Sequence, residues 1–222
     1  MLDNASVKRW GRNNYGQLSI GNATNMGDNT GEMGDNLPSI DLGTGRTATA
    51  IAVGQTHTCA ILDNSSVKCW GENYRGQLGI DASIIDNRGD ASGEMVDLPV
   101  VKLGTGRTAT AISAGYGHNC VILDNSSVKC WGYGGSGQLV IDSNTNFGGS
   151  QYGDMADIPV VKLGTGRTAT AINAGAFHTC AKLDNSSVKC WGGNSRGQLG
   201  IGNTDNTGNA AGEMDSLLGI DL

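Results

Sequence analysis

Short apolar runs, broken by glycines and Asp/Asn/Ser turns, pattern this chain, and no stretch carries the long 3.6-residue periodicity of an amphipathic helix. Thr49–Val53 is a small, partly β-branched run that stops at Gly54 and predicts a first strand, A. His57–Leu62 predicts strand B, and Asp63-Asn64-Ser65 supplies residue types that favour a tight turn. Ser66–Trp70 predicts strand C, with Val67 and Cys69 on one face and Lys68 and Trp70 on the other. A glycine-rich loop leads to Leu98–Leu103, the predicted outer strand D. Pro38, Pro99 and Pro159 sit near the start of that strand, which suits an edge that need not donate every hydrogen bond.

These runs recur. Trp10, Trp70, Trp131 and Trp191 return every 60 or 61 residues, each inside one phrase: LDNASVKRWG from Leu2, then LDNSSVKCWG from Leu62, Leu123 and Leu183. A GQL turn follows each Trp, at Gly16, Gly76, Gly137 and Gly197. GEM or GDM comes later, at Gly31, Gly93, Gly153 and Gly212. LGTGRTATAI occurs three times, from Leu42, Leu103 and Leu163. A period of this length predicts a solenoid, propeller or array, and four short strands per unit are one propeller blade. The predicted fold is therefore an all-β β-propeller repeat of four-stranded antiparallel blades, forming one domain over residues 1–222. It divides into a half-blade, 1–42, and blades 43–103, 104–163 and 164–222, about three and a half in all: an open arc or part of a larger ring.

Composition narrows the function. With 36 glycines and 38% hydrophobic residues in 222, the core must be thin and spread between neighbouring units. A formal charge of −6 disfavours nucleic acid, which needs clustered Lys and Arg. No apolar run approaches the roughly 18 residues of a membrane span. Met1-Leu2-Asp3-Asn4 lacks the basic and apolar regions of a signal peptide, so an exported form would have lost its signal before this numbering begins.

The residue pattern SVKCWG, GQLGI, LGTGRTATAI and HTCAILDN resembles the regulator of chromosome condensation repeat, and more closely the cysteine-bearing form of that repeat in exported bacterial proteins. The resemblance covers essentially the whole chain. It implies a propeller, usually of seven blades in a complete member. It does not imply one function, because the fold serves nucleotide exchange, enzyme inhibition and protein binding alike.

The six cysteines form three equally spaced pairs, Cys59/Cys69, Cys120/Cys130 and Cys180/Cys190. Folding strand B back on strand C sets the members of each pair opposite one another, within disulfide reach. Free buried thiols are the alternative; zinc fits poorly, since CxxC spacing is absent and each unit offers two sulfurs. Disulfides are the preferred reading, and they imply an oxidising compartment, hence export or the cell surface. In the first copy Arg9 stands at the cysteine position and no cysteine is left over.

Candidate sites follow from what repeats and what varies. His57, His118 and His178 recur once per unit, so they are expected to fix the A–B turns through backbone hydrogen bonds rather than share a metal. Arg46, Arg107 and Arg167 are expected to join adjoining blades. No unique Ser/His/Asp, paired-carboxylate or metal cluster stands outside the repeat, so no catalytic residue is assigned and no cofactor is required. Oxygen-rich loops make Asp28, Glu32, Asp90, Glu94 and Asp154 the calcium candidates, although no segment has EF-hand spacing. Arg88-Gly89-Asp90 spells an adhesion tripeptide, a match too short to carry weight. The aromatics Tyr15, Tyr74, Tyr116, Phe147, Tyr152 and Phe177 mostly differ between copies, and variable side chains on a uniform frame are where repeat proteins place recognition. The expected function is a non-catalytic, extracellular or cell-surface protein-interaction module. The alternative is a structural subunit of a polymer or appendage, self-associated through open blade edges or part of a larger chain. Contacts from such a neighbour are expected against Val7, Arg9 and Ile40.

Overall fold

The computed structural model describes residues 6–80, 86–148 and 155–220. Three antiparallel three-stranded sheets follow one another along the chain. The first holds β1 (Ala48–Val53), β2 (His57–Leu62) and β3 (Val67–Gly71). The second holds β4 (Ala109–Ala114), β5 (His118–Leu123) and β6 (Val128–Gly132). The third holds β7 (Ala169–Ala174), β8 (His178–Leu183) and β9 (Val188–Gly192). These are strands A, B and C of each unit, within a residue of their predicted limits. Each first strand carries a bulge at its threonine: the register slips between Ala48 and Ala50, and Thr49 Oγ1 donates to the Ile61 carbonyl at 3.2 Å.

Among the described residues strand D does not form, so the blades have three strands rather than four. The segment lies beside the third strand but makes one backbone bond in each unit: Ile40 N to Val7 O, Val101 N to Val67 O, Val161 N to Val128 O and Ile220 N to Val188 O, at 2.8–2.9 Å. In three units the residue two positions earlier is Pro38, Pro99 or Pro159, which has no N–H to extend the ladder. The outer edge is completed instead by the loop, which returns to the end of strand C in two-residue bridges, Gly71 with Arg88, Gly132 with Phe147 and Gly192 with Thr207. The first unit differs further. Among the described residues its predicted strand C, Ser6–Trp10, is reduced to a bridge of Lys8 with Ser39, and the following Gly11 bridges Met26.

Two apolar cores run between neighbouring sheets. One gathers Val7, Ile40, Ala48, Ile61, Val67, Trp70, Leu78, Leu98, Val101 and Trp131; the other gathers Ile122, Val128, Leu139, Val161, Leu163, Leu183 and Trp191. Val7 and Ile40 are thus buried under the chain's own next unit, and Arg9 donates to the Gln17 carbonyl there. The expectation that another chain covers these three residues is corrected: the side facing Val7 and Arg9 is already occupied, and the open side is that of Trp10. Burial pushes the Arg9 guanidinium down to about 10.

Candidate functional site

Each unit has two ends of different character. One carries the GTGR and Asp-Asn-Ser turns, nearly identical in every copy. The other carries the turn between the first two strands and the loop after the third, where the copies diverge: Glu72 against Tyr133 and Gly193, Gln55-Thr56 against Tyr116-Gly117 and Ala176-Phe177.

At the uniform end the arginines act inside their own unit. Arg46 Nη1 meets Asp63 Oδ2 at 3.0 Å, Arg107 meets Asp124 at 2.9 Å and Arg167 meets Asp184 at 3.4 Å, with both partners of every pair partly exposed. The same aspartates accept from backbone N–H groups of Thr47, Thr108 and Thr168. The pairs therefore close the two turns of one sheet, and the expectation that they join adjoining blades is corrected.

The histidines do the joining. His57 Nε2 lies 2.9 Å from Asn119 Oδ1 and His118 Nε2 lies 2.9 Å from Thr179 Oγ1, each partner belonging to the next unit. The A–B turn is closed by the histidine's backbone rather than its ring, through Gly54 N to His57 O at 3.0 Å. Each ring lies against the turn glycine: a Cβ on Gly54, Gly115 or Gly175 would stand 2.1–2.3 Å from the imidazole Cε1. Complete burial pushes His57 down to about 4 and His118 to about 3, the latter also through the neighbouring histidines.

The cysteines are paired as Cys59–Cys69, Cys120–Cys130 and Cys180–Cys190, with Cα atoms 4.0–4.1 Å apart and directly opposed in register. Three disulfides point to an oxidising, non-cytosolic compartment.

The acidic loops use their carboxylates internally. Glu32 Oε2 accepts from the N–H groups of Gly27, Asp28 and Asn29 at 2.6–3.1 Å, and Glu94 Oε2 from those of Gly89 and Ala91 at 2.8 and 3.0 Å. The Asn29 side chain first, then these amides, hold the Glu32 carboxyl below the usual carboxylate range. Asp28 and Asp90 contact Asn29 and Asn87. Asp154 lies outside the described residues, and among the described residues no three His, Cys, Asp or Glu side chains are grouped together. Arg88 pairs with Glu94 and Asp86 at 3.6 and 3.8 Å, and Gly89 is packed against Gly16 of the preceding unit, so the adhesion tripeptide is part of the frame.

The aromatics at the variable end come together. Tyr116 and Phe177 rings are 5.0 Å apart, Tyr133 meets Phe177 edge-on at 6.1 Å, and Arg75 lies over Tyr116 at 5.4 Å and over Tyr133 at 5.0 Å. Three successive sheets contribute to this cluster, and Tyr74, beside Arg75, is exposed. Tyr15 is apart from it, with Arg12 over its ring at 5.7 Å. Phe147 is half-buried against both cores, which makes it a packing residue, and Tyr152 lies outside the described residues. The sequence reading passed over Tyr133 and Arg75. The signal was present, since Tyr133 replaces Glu72 and Arg75 replaces Tyr15 at positions that vary between copies.

No helix among the described residues is long and apolar enough to cross a membrane. Two family models, both described as the regulator of chromosome condensation (RCC1) repeat, match residues 48–77, 109–138 and 169–198, and residues 9–61. The chain is 31% identical to the human probable E3 ubiquitin-protein ligase HERC6 over 173 residues, 77% of this chain and 15% of that protein. It is 26% identical to the ultraviolet-B receptor UVR8 of Arabidopsis thaliana over 202 residues, 89% of this chain and 39% of that one. It therefore spans well under half of these relatives. Among solved structures, human WBSCR16 superposes with a TM-score of 0.69 at 17% identity, covering 100% of this chain and 50% of that one. Yeast RCC1 (Prp20), solved with Kap60 bound, gives 0.70 at 18%, covering 98% and 45%. These likenesses show a β-propeller fold.

Proposed function

Because the chain belongs to the regulator of chromosome condensation (RCC1) repeat family, whose repeats commonly serve as protein-interaction modules, we propose that it is a non-catalytic protein-binding module working outside the cytosol, at the cell surface or beyond it. One observation carries this reading: the variable end of the uniform frame gathers Arg75, Tyr116, Tyr133 and Phe177 from three successive blades. Tyrosine and arginine are over-represented among the residues that dominate binding energy in protein interfaces, where a rigid ring presents large area at small entropic cost. The disulfides support the compartment. That yeast RCC1 was solved with a bound protein, Kap60, fits a fold that presents surfaces to proteins.

The test is site-specific photocrosslinking in the native extract. A photoreactive residue in place of exposed Tyr74 is expected to capture a protein, and one in place of Val100, on the outer edge, to capture none. Tyr116→Ala with Phe177→Ala should abolish the capture, a loss of ~10-fold or more in affinity, while both disulfide content and melting stay near wild type. Equal capture from Tyr74 and Val100, or capture indifferent to the double substitution, would overturn the proposal.

A further inference from the structure

The turn joining the second and third strands carries the same tripeptide in each sheet: Asn64-Ser65-Ser66, Asn125-Ser126-Ser127 and Asn185-Ser186-Ser187. Asn followed two positions on by Ser or Thr, with no proline between, is the acceptor sequence for N-linked saccharide in secreted proteins. So short a sequence also arises by chance, and geometry has to decide. Asn64, Asn125 and Asn185 are all exposed, at the bend of a hairpin. Each bend is closed by local bonds, in the first sheet Leu62 N to Ser66 O and Ser65 N to Leu62 O, both at 2.9 Å. It therefore needs no neighbouring blade and can form as soon as its own hairpin does.

Within the bend the asparagine uses one half of its side chain. Asn64 Oδ1 accepts from Ser66 N at 3.2 Å and from Ser66 Oγ at 2.7 Å. Asn125 and Asn185 repeat both bonds, with Ser127 and Ser187, at the same distances. Among the described residues Nδ2 of these three asparagines donates no hydrogen bond. Both bonds call for an acceptor oxygen, which aspartate supplies equally, so the amide nitrogen is surplus to the turn. All three turns nevertheless keep the amide, with the serine hydroxyl beside it. Asn22-Ala23-Thr24 shows the contrast: its Nδ2 turns back to Ile20 O at 3.5 Å, and the Thr24 backbone N–H meets Asn22 Oδ1 at 2.8 Å. Asn4, which opens the same tripeptide in the first copy, lies outside the described residues.

We propose that Asn64, Asn125 and Asn185 are attachment sites for N-linked saccharide, added as the chain leaves the cytosol. Nδ2 bonds to the anomeric carbon of a saccharide carried on a lipid diphosphate. The bond from that carbon to the diphosphate oxygen breaks, the lipid diphosphate leaves with the electron pair, and the amide proton passes to solvent. This assignment rests on the chain working outside the cytosol, the reading that the disulfides support. The three turns share the uniform end of the units with the Arg46–Asp63, Arg107–Asp124 and Arg167–Asp184 pairs. A bulky, hydrated saccharide on each would coat that end and leave the Arg75 and Phe177 cluster at the opposite end bare. Protein contact would thereby be directed to the variable end.

The test is peptide mapping by mass spectrometry of the protein purified from the cells that make it. Saccharide-bearing peptides are expected at Asn64, Asn125 and Asn185, and amidase release in heavy-oxygen water should mark the same three asparagines as they become aspartate. Ser66→Ala, made in the same cells, keeps Asn64 and the backbone of the turn but removes the hydroxyl. It is expected to abolish the saccharide at Asn64 while Asn125 and Asn185 stay occupied, and Ser66→Thr should restore it. Non-reduced peptides from the same sample report the disulfides. Bare asparagines in protein whose cysteines are paired would overturn this proposal and leave the compartment standing. Free cysteines would overturn the compartment and the proposal with it. Saccharide at Asn64 that survives Ser66→Ala would also overturn it.

Discussion

His57 and Asn119 form the centre of a short relay between adjacent blades. Asn119 Nδ2 donates to the Gln77 carbonyl at 2.8 Å, which turns its Oδ1 toward His57 Nε2 at 2.9 Å. That oxygen can only accept, so the imidazole carries its proton on Nε2 and leaves Nδ1 bare, and Nδ1 of both His57 and His118 has no partner. The relay therefore requires neutral imidazole. A second proton would place a charge in a fully buried site with nothing to receive it.

Stability should consequently fall with acid before the carboxylates titrate. His57 and His118 are pushed down to about 4 and about 3, below the ~6.5 of an unfolded histidine. The unfolded chain then binds more protons than the folded one. The stabilisation is fully present above pH ~6.5 and is lost as pH falls from there toward the folded values. Melting temperature is expected to drop by ~5 °C or more between pH 7.5 and 4.5, and His118→Gln should flatten that slope. A melting temperature constant across this window would show that the rings are protonated in place.

The three disulfides should yield to reductant in order. Cys59, Cys69, Cys120 and Cys130 are 0% exposed, each pair covered by the next blade, whereas Cys180 on the uncovered face of β8 is only partly buried. Mild reduction followed by alkylation and peptide mass spectrometry should label Cys180 and Cys190 first. Replacing Cys59 and Cys69 together by serine should cost ~2–3 kcal/mol, the value of closing so short a loop. Uniform labelling of all six positions would contradict the covered seams.

The loop carboxylates should behave as staples. Glu213 Oε2 accepts from the N–H groups of Gly208, Asn209 and Ala210 at 2.8–2.9 Å, the same arrangement as Glu32 and Glu94. Glu213→Ala is expected to raise hydrogen exchange at those three amides by ~10-fold or more, the loss of bonds to a charged acceptor. Chelator should leave the melting temperature of the wild-type chain unchanged. A chelator-induced fall of several degrees, restored by calcium, would instead assign the loops to a cation.

The sequence alone determined what is local or strictly periodic. Strands A, B and C, their register and the opposition of Cys59 to Cys69 follow from alternation around a fixed Asp-Asn-Ser turn, because a strand repeats every two residues and a tight hairpin admits one pairing. Among the described residues the fourth strand is absent although Leu98–Leu103 has the apolar pattern of a strand, because Pro99 withholds the donor that a ladder would need. What faces what across a seam was beyond the pattern. Nothing in the spacing of His57 says that it meets Asn119, or that Arg46 stays with its own Asp63, since those contacts depend on how one twisted sheet stacks on the next. The tertiary structure alone gathered Arg75, Tyr116, Tyr133 and Phe177, which span about a hundred residues of sequence. It also divided four equivalent tryptophans into three that are sealed and one, Trp10, that is open, because burial at each repeat is conferred by the preceding neighbour and not by the residue itself.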